Sequence, residues 1–194
     1  MNDFENISLF LRNKVNLTEK EVDIFVDAIE VRKVSKKENF ITQGKRAAYK
    51  GFLNKGCTRT YFTDNNGKDN VIYFSFENSW LGDIESYHLN KPSRISIQAI
   101  EVCQFFVITK DKFEHLETLI PNLSKWYNYT AVKMYSNLFD KLIENKIRNK
   151  EDKYNYLLTE HPYIFQRVPL QHIADYLEIE PQSLSRLRRR LLEK

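Results

Sequence analysis

Four arginines, Arg186, Arg188, Arg189 and Arg190, crowd the segment PQSLSRLRRRLLEK at the C-terminal end of this 194-residue chain. With Lys194 against Glu193 alone, residues 181–194 hold the whole formal net charge of +4, and the rest of the chain balances. Gln182, Ser183, Ser185 and Arg186 are side chains that reach base edges or phosphates, whereas Arg188, Arg189 and Arg190 are phosphate-type charges. Such a set recognises an anion; it makes and breaks no bonds. Bond-making chemistry has little else to draw on. Cys57 and Cys103 are too few for a thiolate cluster or a disulfide framework. They sit in strand-like patterns, where a free cysteine is usually a small buried hydrophobe. His88, His115, His161 and His172 lack metal-type spacing, and there is no P-loop or nucleophile–base arrangement. An enzyme is the least favoured class, and no cofactor is expected to be required.

The arginines need a helix to present them. Ile173, Ala174 and Leu177 form one helical stripe, Ile179 falls in a turn, and Leu184, Leu187 and Leu191 form the next stripe. Pro181 suits the first turn of the second helix, where its missing N–H is no loss. Two short helices, a turn of three or four residues and a small residue at the crossing make a helix-turn-helix pattern. Arginines also end many ordinary helices, because cations favour the negative end of the dipole. Here they sit on the second helix of a formed pattern and hold the entire charge excess, which favours an anionic partner.

The remainder divides by glycine and proline. All five glycines lie between 44 and 82, and all five prolines come later. GCTRTYFTDNNGKDNVIYFSF reads as short strands joined by tight turns, with Asn66-Gly67 as a hairpin turn of positive φ at both positions. RISIQAIEVCQFFVIT (94–109) continues the β pattern. A leading helix is signalled by Thr18 with Glu21 three residues on, a capping box. After residue 111 the period becomes helical: Lys112–Ile120 is a short helix ended by Pro121. Leu123, Tyr127, Ala131, Met134, Leu138 and Leu142 then recur at spacings of 4, 4, 3, 4 and 4. A second stripe, Val132, Tyr135, Phe139 and Ile143, runs beside the first, so this helix needs two partners. One is the β body; the other is either more of its own domain or, as the heptad-like spacing favours, a second copy of the chain, with Tyr127, Ala131, Met134, Leu138 and Leu142 at the interface. No apolar run is long enough to span a membrane and no leader pattern opens the chain, so a reduced, cytoplasmic protein is expected.

Taken together, KKENFITQGK (36–45), WLGDIESY…PSRISIQAIEVCQFFVI (80–108) and VPLQHIADYLEIEPQSLSRLRRRL (168–191) resemble the Crp/Fnr transcription regulators. The likeness is greatest to the short members found in Bacteroidetes-type bacteria. It implies an α+β chain: an N-terminal antiparallel β-roll of double-stranded β-helix or jelly-roll type with flanking helices, a long dimer helix and a C-terminal helix-turn-helix. The implied divisions are a cyclic-nucleotide-binding-like sensor at 1–120, a connecting dimer helix at 121–147 and a DNA-binding domain at 148–194. The resemblance makes 182–192 the recognition helix in the major groove, with Gln182 and Arg186 at base-reading positions. Gln171, Ser183, Ser185 and Arg189, with Arg188 beside them, would contact phosphate. It departs at the turn, where Glu178 stands in place of the usual Gly, and a β wing after the last helix is not expected.

In cyclic-nucleotide-binding relatives a Gly-Glu turn and a downstream Arg-Ser pair hold the ribose and the cyclic phosphate. Here the turn is Gly82-Asp83, a shorter carboxylate, and Ser93 takes the Arg position with Arg94 one residue late. On a strand that shift turns a side chain to the opposite face. The expectation is a homodimeric regulator that binds a palindromic duplex, with RNA polymerase as a further partner and no membrane. Its β-roll does not take cyclic AMP in the usual way, and the identity of any effector is open. The alternative is a cyclic-nucleotide-binding or protein-interaction module whose basic helix meets RNA or an acidic partner.

Overall fold

The structure, a computed structural model, describes residues 4–192. Among the described residues eight strands form two four-stranded sheets: β1 (Glu30–Val34), β2 (Asn39–Ile41), β3 (Tyr49–Lys55), β4 (Thr58–Thr63), β5 (Asp69–Ser75), β6 (Ser79–Leu81), β7 (Ser96–Ala99) and β8 (Cys103–Thr109). One sheet has the order β1-β8-β3-β6 and the other β2-β7-β4-β5. Every pairing with a defined register (β1–β8, β2–β7, β3–β6 and β3–β8) is antiparallel. The fold is α+β with antiparallel, jelly-roll-like sheets. At the tight corner between β3 and β4, Gly56 has φ +112°, and a Cβ there would lie 2.6 Å from the Cys103 Sγ. Both cysteines are buried.

The nine helices among the described residues are α1 (Glu5–Phe10, continued as a π turn over Leu11–Val15), α2 (Glu19–Ala28), α3 (Ile84–Leu89), α4 (Lys110–Leu119), α5 (Pro121–Ile147), α6 (Lys150–Glu160), α7 (Ile164–Arg167), α8 (Leu170–Tyr176) and α9 (Pro181–Leu192). Thr18 caps α2 in a complete capping box with Glu21. The β4–β5 turn differs from its sequence expectation. Asp64 Oδ1 accepts from the Asn66 and Lys68 amides at 2.9 and 3.0 Å, so the carboxylate organises the loop. Only Gly67 of the Asn-Gly pair has positive φ.

The chain forms two compact units, Met1–Thr60 with Phe74–Met134, and Tyr61–Tyr73 with Tyr135–Lys194. The core of the first is built on Ile7, Leu11, Phe25, Phe52, Phe106, Phe113, Ile120 and Leu123. Aromatic edges lock it: Phe10 meets Phe52 at 5.1 Å and Trp126 at 5.8 Å, and Trp80 meets Trp126 at 5.8 Å. The start of α5 belongs to this core, so the division between units falls within α5. The second unit buries Tyr154, Leu157, Ile164, Val168, Ile173, Ala174, Leu177 and Leu184. Two of the residues expected on its stripe and charge run, Glu193 and Lys194, lie outside the described residues, as does the side chain of Leu191.

Candidate functional site

In the second unit, α8 ends in a turn in which the Ile179 amide donates to the Ala174 carbonyl at 3.0 Å and the Glu178 amide to that of Asp175 at 3.1 Å. These are the two bonds of a Schellman cap, and they place Glu178 at the left-handed position, with φ +57°. Leu184 is buried, as are Ile173, Ala174 and Leu177, and α9 packs on α8, which anchors it by its apolar side. At about 100° per residue, Ser185, Arg189, Gln182 and Arg186 share one arc of α9. All four are exposed, as are Ser183 beside them and Gln171 on α8, while Arg188 is half-buried at the other edge.

Arg186 and Arg189 make no ion pair or hydrogen bond with the described residues. Arg190 differs: its guanidinium pairs with Glu151 at the start of α6, so it is held by the fold and is not a free phosphate-type charge. Ser183, Arg186, Leu187 and Arg190 border a groove of about 550 Å³, closed on its other side by Asn149, Lys150 and Glu151. The exposed arc therefore combines two amide or hydroxyl side chains with two unengaged guanidinium forks, a set suited to a surface of phosphates and base edges.

Along α5 the apolar side chains change role. Leu123 is buried, and Tyr127, counted in the dimer stripe by its spacing, is turned inward. Its hydroxyl lies 2.8 Å from His88 Nε2 and its ring 5.4 Å from Phe113. Spacing alone does not distinguish two adjacent faces of a helix that drifts about 20° per heptad. Ala131 is half-buried. Beyond it Val132, Tyr135 and Leu142 are 69%, 70% and 64% exposed, with Phe139, Met134 and Leu138 beside them also exposed. The exposed face is thus centred on the second stripe, flanked by the first.

In the first unit, Asp83 caps α3. Its Oδ1 accepts from the Ser86 amide at 3.0 Å, and its Oδ2 accepts from the Ser93 hydroxyl at 2.6 Å and the Arg94 amide at 3.2 Å. Burial alone would raise its pKa, but these bonds, with one from the Glu85 amide, outweigh burial and hold the carboxyl below the usual aspartate value. Ser93 is buried, and its backbone is fixed by Lys45 O at 2.9 Å and Gly44 N at 2.8 Å. The Arg94 side chain is 83% exposed and lies 3.7 Å from Glu85. Gly82 packs against Lys50, whose Cβ would be 3.4 Å from an added Cβ. Asp83, Ser93 and the Arg94 backbone therefore come together and satisfy one another, while the Arg94 guanidinium points away.

Sequence reasoning missed Lys50. In β3 it reads as one polar residue of a strand, yet it is only 7% exposed, and its Nζ has no hydrogen-bond partner. The amine lies 3.3, 3.7 and 4.5 Å from the ring centres of Phe113, Tyr127 and Tyr87. Burial pulls its pKa down to about 7, against the pull of Glu117 and Glu114. Among the described residues no group of three or more His, Cys, Asp or Glu side chains could hold a metal ion, and no helix is long and apolar enough to cross a membrane.

Residues 31–117 match the family model of the cyclic nucleotide-binding domain. No curated protein matches the sequence. Several solved structures share the fold. The c-di-GMP-responsive global regulator CLP of Xanthomonas campestris superposes with a TM-score of 0.72 at 13% identity, covering 91% of this chain and 92% of that one. FixK2 of Bradyrhizobium japonicum gives 0.71 at 15% identity over 85% of each chain. The catabolite activator protein of Thermus thermophilus gives 0.62 at 15%, covering 96% of this chain and 87% of that one.

Proposed function

We propose that this chain is a homodimeric, sequence-specific DNA-binding transcription regulator of Crp/Fnr type, acting in the cytoplasm and without catalytic activity. The observation that carries the reading is the arc of α9, where Gln182, Ser185, Arg186 and Arg189 stand exposed on a helix anchored by its opposite side. In this reading α8 and α9 are a helix-turn-helix and α9 enters the major groove. Arg186 and Gln182 read base edges, and Arg186 bonds guanine O6 and N7 through two parallel N–H groups. Gln171, Ser183, Ser185, Arg188 and Arg189 hold phosphates and set orientation.

The partner of the exposed α5 face is a second copy of the chain. Val132, Tyr135, Phe139 and Leu142 repeat at spacings of 3, 4 and 3 on a helix about 40 Å long, a pattern that pairs with its own copy. The β-roll supports a sensor whose Asp83 and Ser93 bond each other, so it does not hold a cyclic phosphate through them. RNA polymerase is the further partner a regulator bound near a promoter would meet.

The test is selection of duplexes from a random pool by the purified protein with no effector added. Enrichment of a two-fold-symmetric motif, with half-sites about 34 Å apart, is expected. Equal retention of every duplex, or preference for single-stranded RNA, would support the competing reading of a basic helix that meets RNA or an acidic protein. Tyr135→Glu should give a monomer in sedimentation and lose the symmetric motif; a dimeric Tyr135→Glu protein would remove α5 pairing from the proposal.

A further inference from the structure

The net neutrality of the chain outside α9 hides a local imbalance. Between Arg32 and Arg46 there are six basic residues and a single acidic one, Glu38. Four of the cations, Arg32, Lys33, Lys45 and Arg46, line one polar groove of about 330 Å³ between β1 and the loop that precedes β3. Glu38 also borders it, and its Oε2 is engaged by the Ser35 amide at 2.9 Å. Like charges gathered around a concavity of this size raise the local concentration of a small anion.

The groove is built as well as charged. The Arg32 guanidinium lies 4.6 Å over the Tyr49 ring, and Tyr49 is itself fixed by its hydroxyl bond to the Phe40 carbonyl at 2.6 Å. The loop carrying Lys45 and Arg46 is tied down on its other side. Lys45 O accepts from the Ser93 amide at 2.9 Å, and the Ala47 amide donates to the Ser86 Oγ at 2.8 Å. A stacked guanidinium and a pinned loop lose little freedom when an anion arrives, which is the condition for tight binding at a surface groove.

We infer that this groove is a binding site for a small diphosphate-bearing anion. Two guanidinium forks match pairs of phosphate oxygens, and two ammonium groups neutralise the remaining charge. The volume accommodates a pyrophosphate group and holds no whole protein segment. The site is separate from the Asp83–Ser93 pair and independent of what α9 binds.

The experiment is calorimetric titration of the full chain with inorganic pyrophosphate, repeated with sulfate and with an oligoglutamate peptide. Saturable binding of one pyrophosphate per chain is expected, weakened roughly tenfold or more in Lys45→Gln/Arg46→Gln and unchanged in Arg186→Gln/Arg189→Gln. Amide shifts over residues 42–47 on adding pyrophosphate report the same site without any substitution, and a thermal melt checks that the variant is folded. Binding that survives the groove substitutions, or is lost in the α9 variant, overturns the inference. So does equal affinity for sulfate, which would mean charge alone. Tighter binding of oligoglutamate through Lys45 and Arg46 would make the groove a protein-contact surface and overturn it too.

Discussion

The cassette around Asp83 and the exposed arc of α9 both offer hydroxyl, amide and guanidinium groups, the first of them around a carboxylate, but the fold treats them in opposite ways. Around Asp83 each polar atom finds an internal partner: two oxygens take two amides and the Ser93 hydroxyl, and Ser93 is bonded through its backbone as well. On α9 the guanidinium groups of Arg186 and Arg189 reach solvent with no partner among the described residues, while Arg190, one turn on, is paired to Glu151. A polar group already satisfied inside the fold contributes to stability and has little left to offer a ligand. A polar group the fold positions and leaves open is available to a partner. The difference separates a structural carboxylate from a surface left open to a partner better than residue type does.

The largest effect should come from breaking the internally satisfied side. Asp83→Ala removes the cap of α3 and leaves the buried Ser93 hydroxyl and two amides without their acceptor. The expected loss is about 2–4 kcal/mol of folding stability, read by urea denaturation. Were Asp83 instead a ligand-binding group, its replacement would be nearly neutral in the free protein and costly only with ligand present.

Lys50 sharpens the comparison because it is buried and its amine still has no hydrogen-bond partner. Its amine faces Tyr87 on α3, Phe113 on α4 and Tyr127 on α5, with His88, Lys110, Glu114 and Glu117 as the charged or titratable groups around it. Its pKa falls from 10.5 to about 7 on folding, so between those values the unfolded chain binds a proton that the folded chain does not. Stability from this residue therefore rises as pH goes from about 7 to 10.5, and is flat below about 7. Lys50→Met keeps the volume and removes the amine. It should be roughly 2 kcal/mol more stable than the parent at pH 7. The difference should close as pH approaches 10.5. Parallel stability–pH curves for the two proteins would show that the cage of rings stabilises the cation fully.

Much of this was legible in the sequence, and the reason differs from element to element. The capping box at Thr18 and Glu21, the short strands between the glycines and the apolar stripes of α5, α8 and α9 are local patterns that survive translation into structure, whereas the positive φ expected at Asn66 does not, because Asp64 organises that turn. What was not legible depends on contacts between distant segments. The cage around Lys50 draws one ring from each of three helices. The basic groove joins residues 32–33 to 45–46. Tyr127 and Met134 share a sequence stripe, but only the packing of Phe113 and His88 decides that Tyr127 turns inward. The order Ser93-Arg94 could be read from the chain, whereas the closure of Ser93 onto Asp83 required the loop at 42–47 to be in place.

On the open side of the comparison, Arg186→Ala should cost about 1–3 kcal/mol in duplex binding and relax the preference at one base position. Arg189→Ala should weaken all duplexes alike and reduce the salt dependence by about one counterion. Neither should change the melting temperature of the free protein, since neither side chain bonds the described fold. Equal losses on every sequence for both variants would mean that Arg186 holds phosphate and that the reading face lies elsewhere on α9.

The smallest effect lies at the turn that aims α9. Glu178 sits at φ +57°, where a side chain is strained by about 1 kcal/mol and glycine is not. Its carboxylate also acts on Lys141, raising that amine's pKa against the burial that lowers it. Glu178→Gly thus relieves backbone strain and removes one favourable charge. Glycine also frees the unfolded chain, which takes back part of the gain. The balance should be a stabilisation of roughly 0.5 kcal/mol, read by denaturation, with the two Schellman bonds and the direction of α9 unchanged. A loss of stability instead would show that the Glu178–Lys141 attraction outweighs the strain, and that the turn uses this residue for its charge.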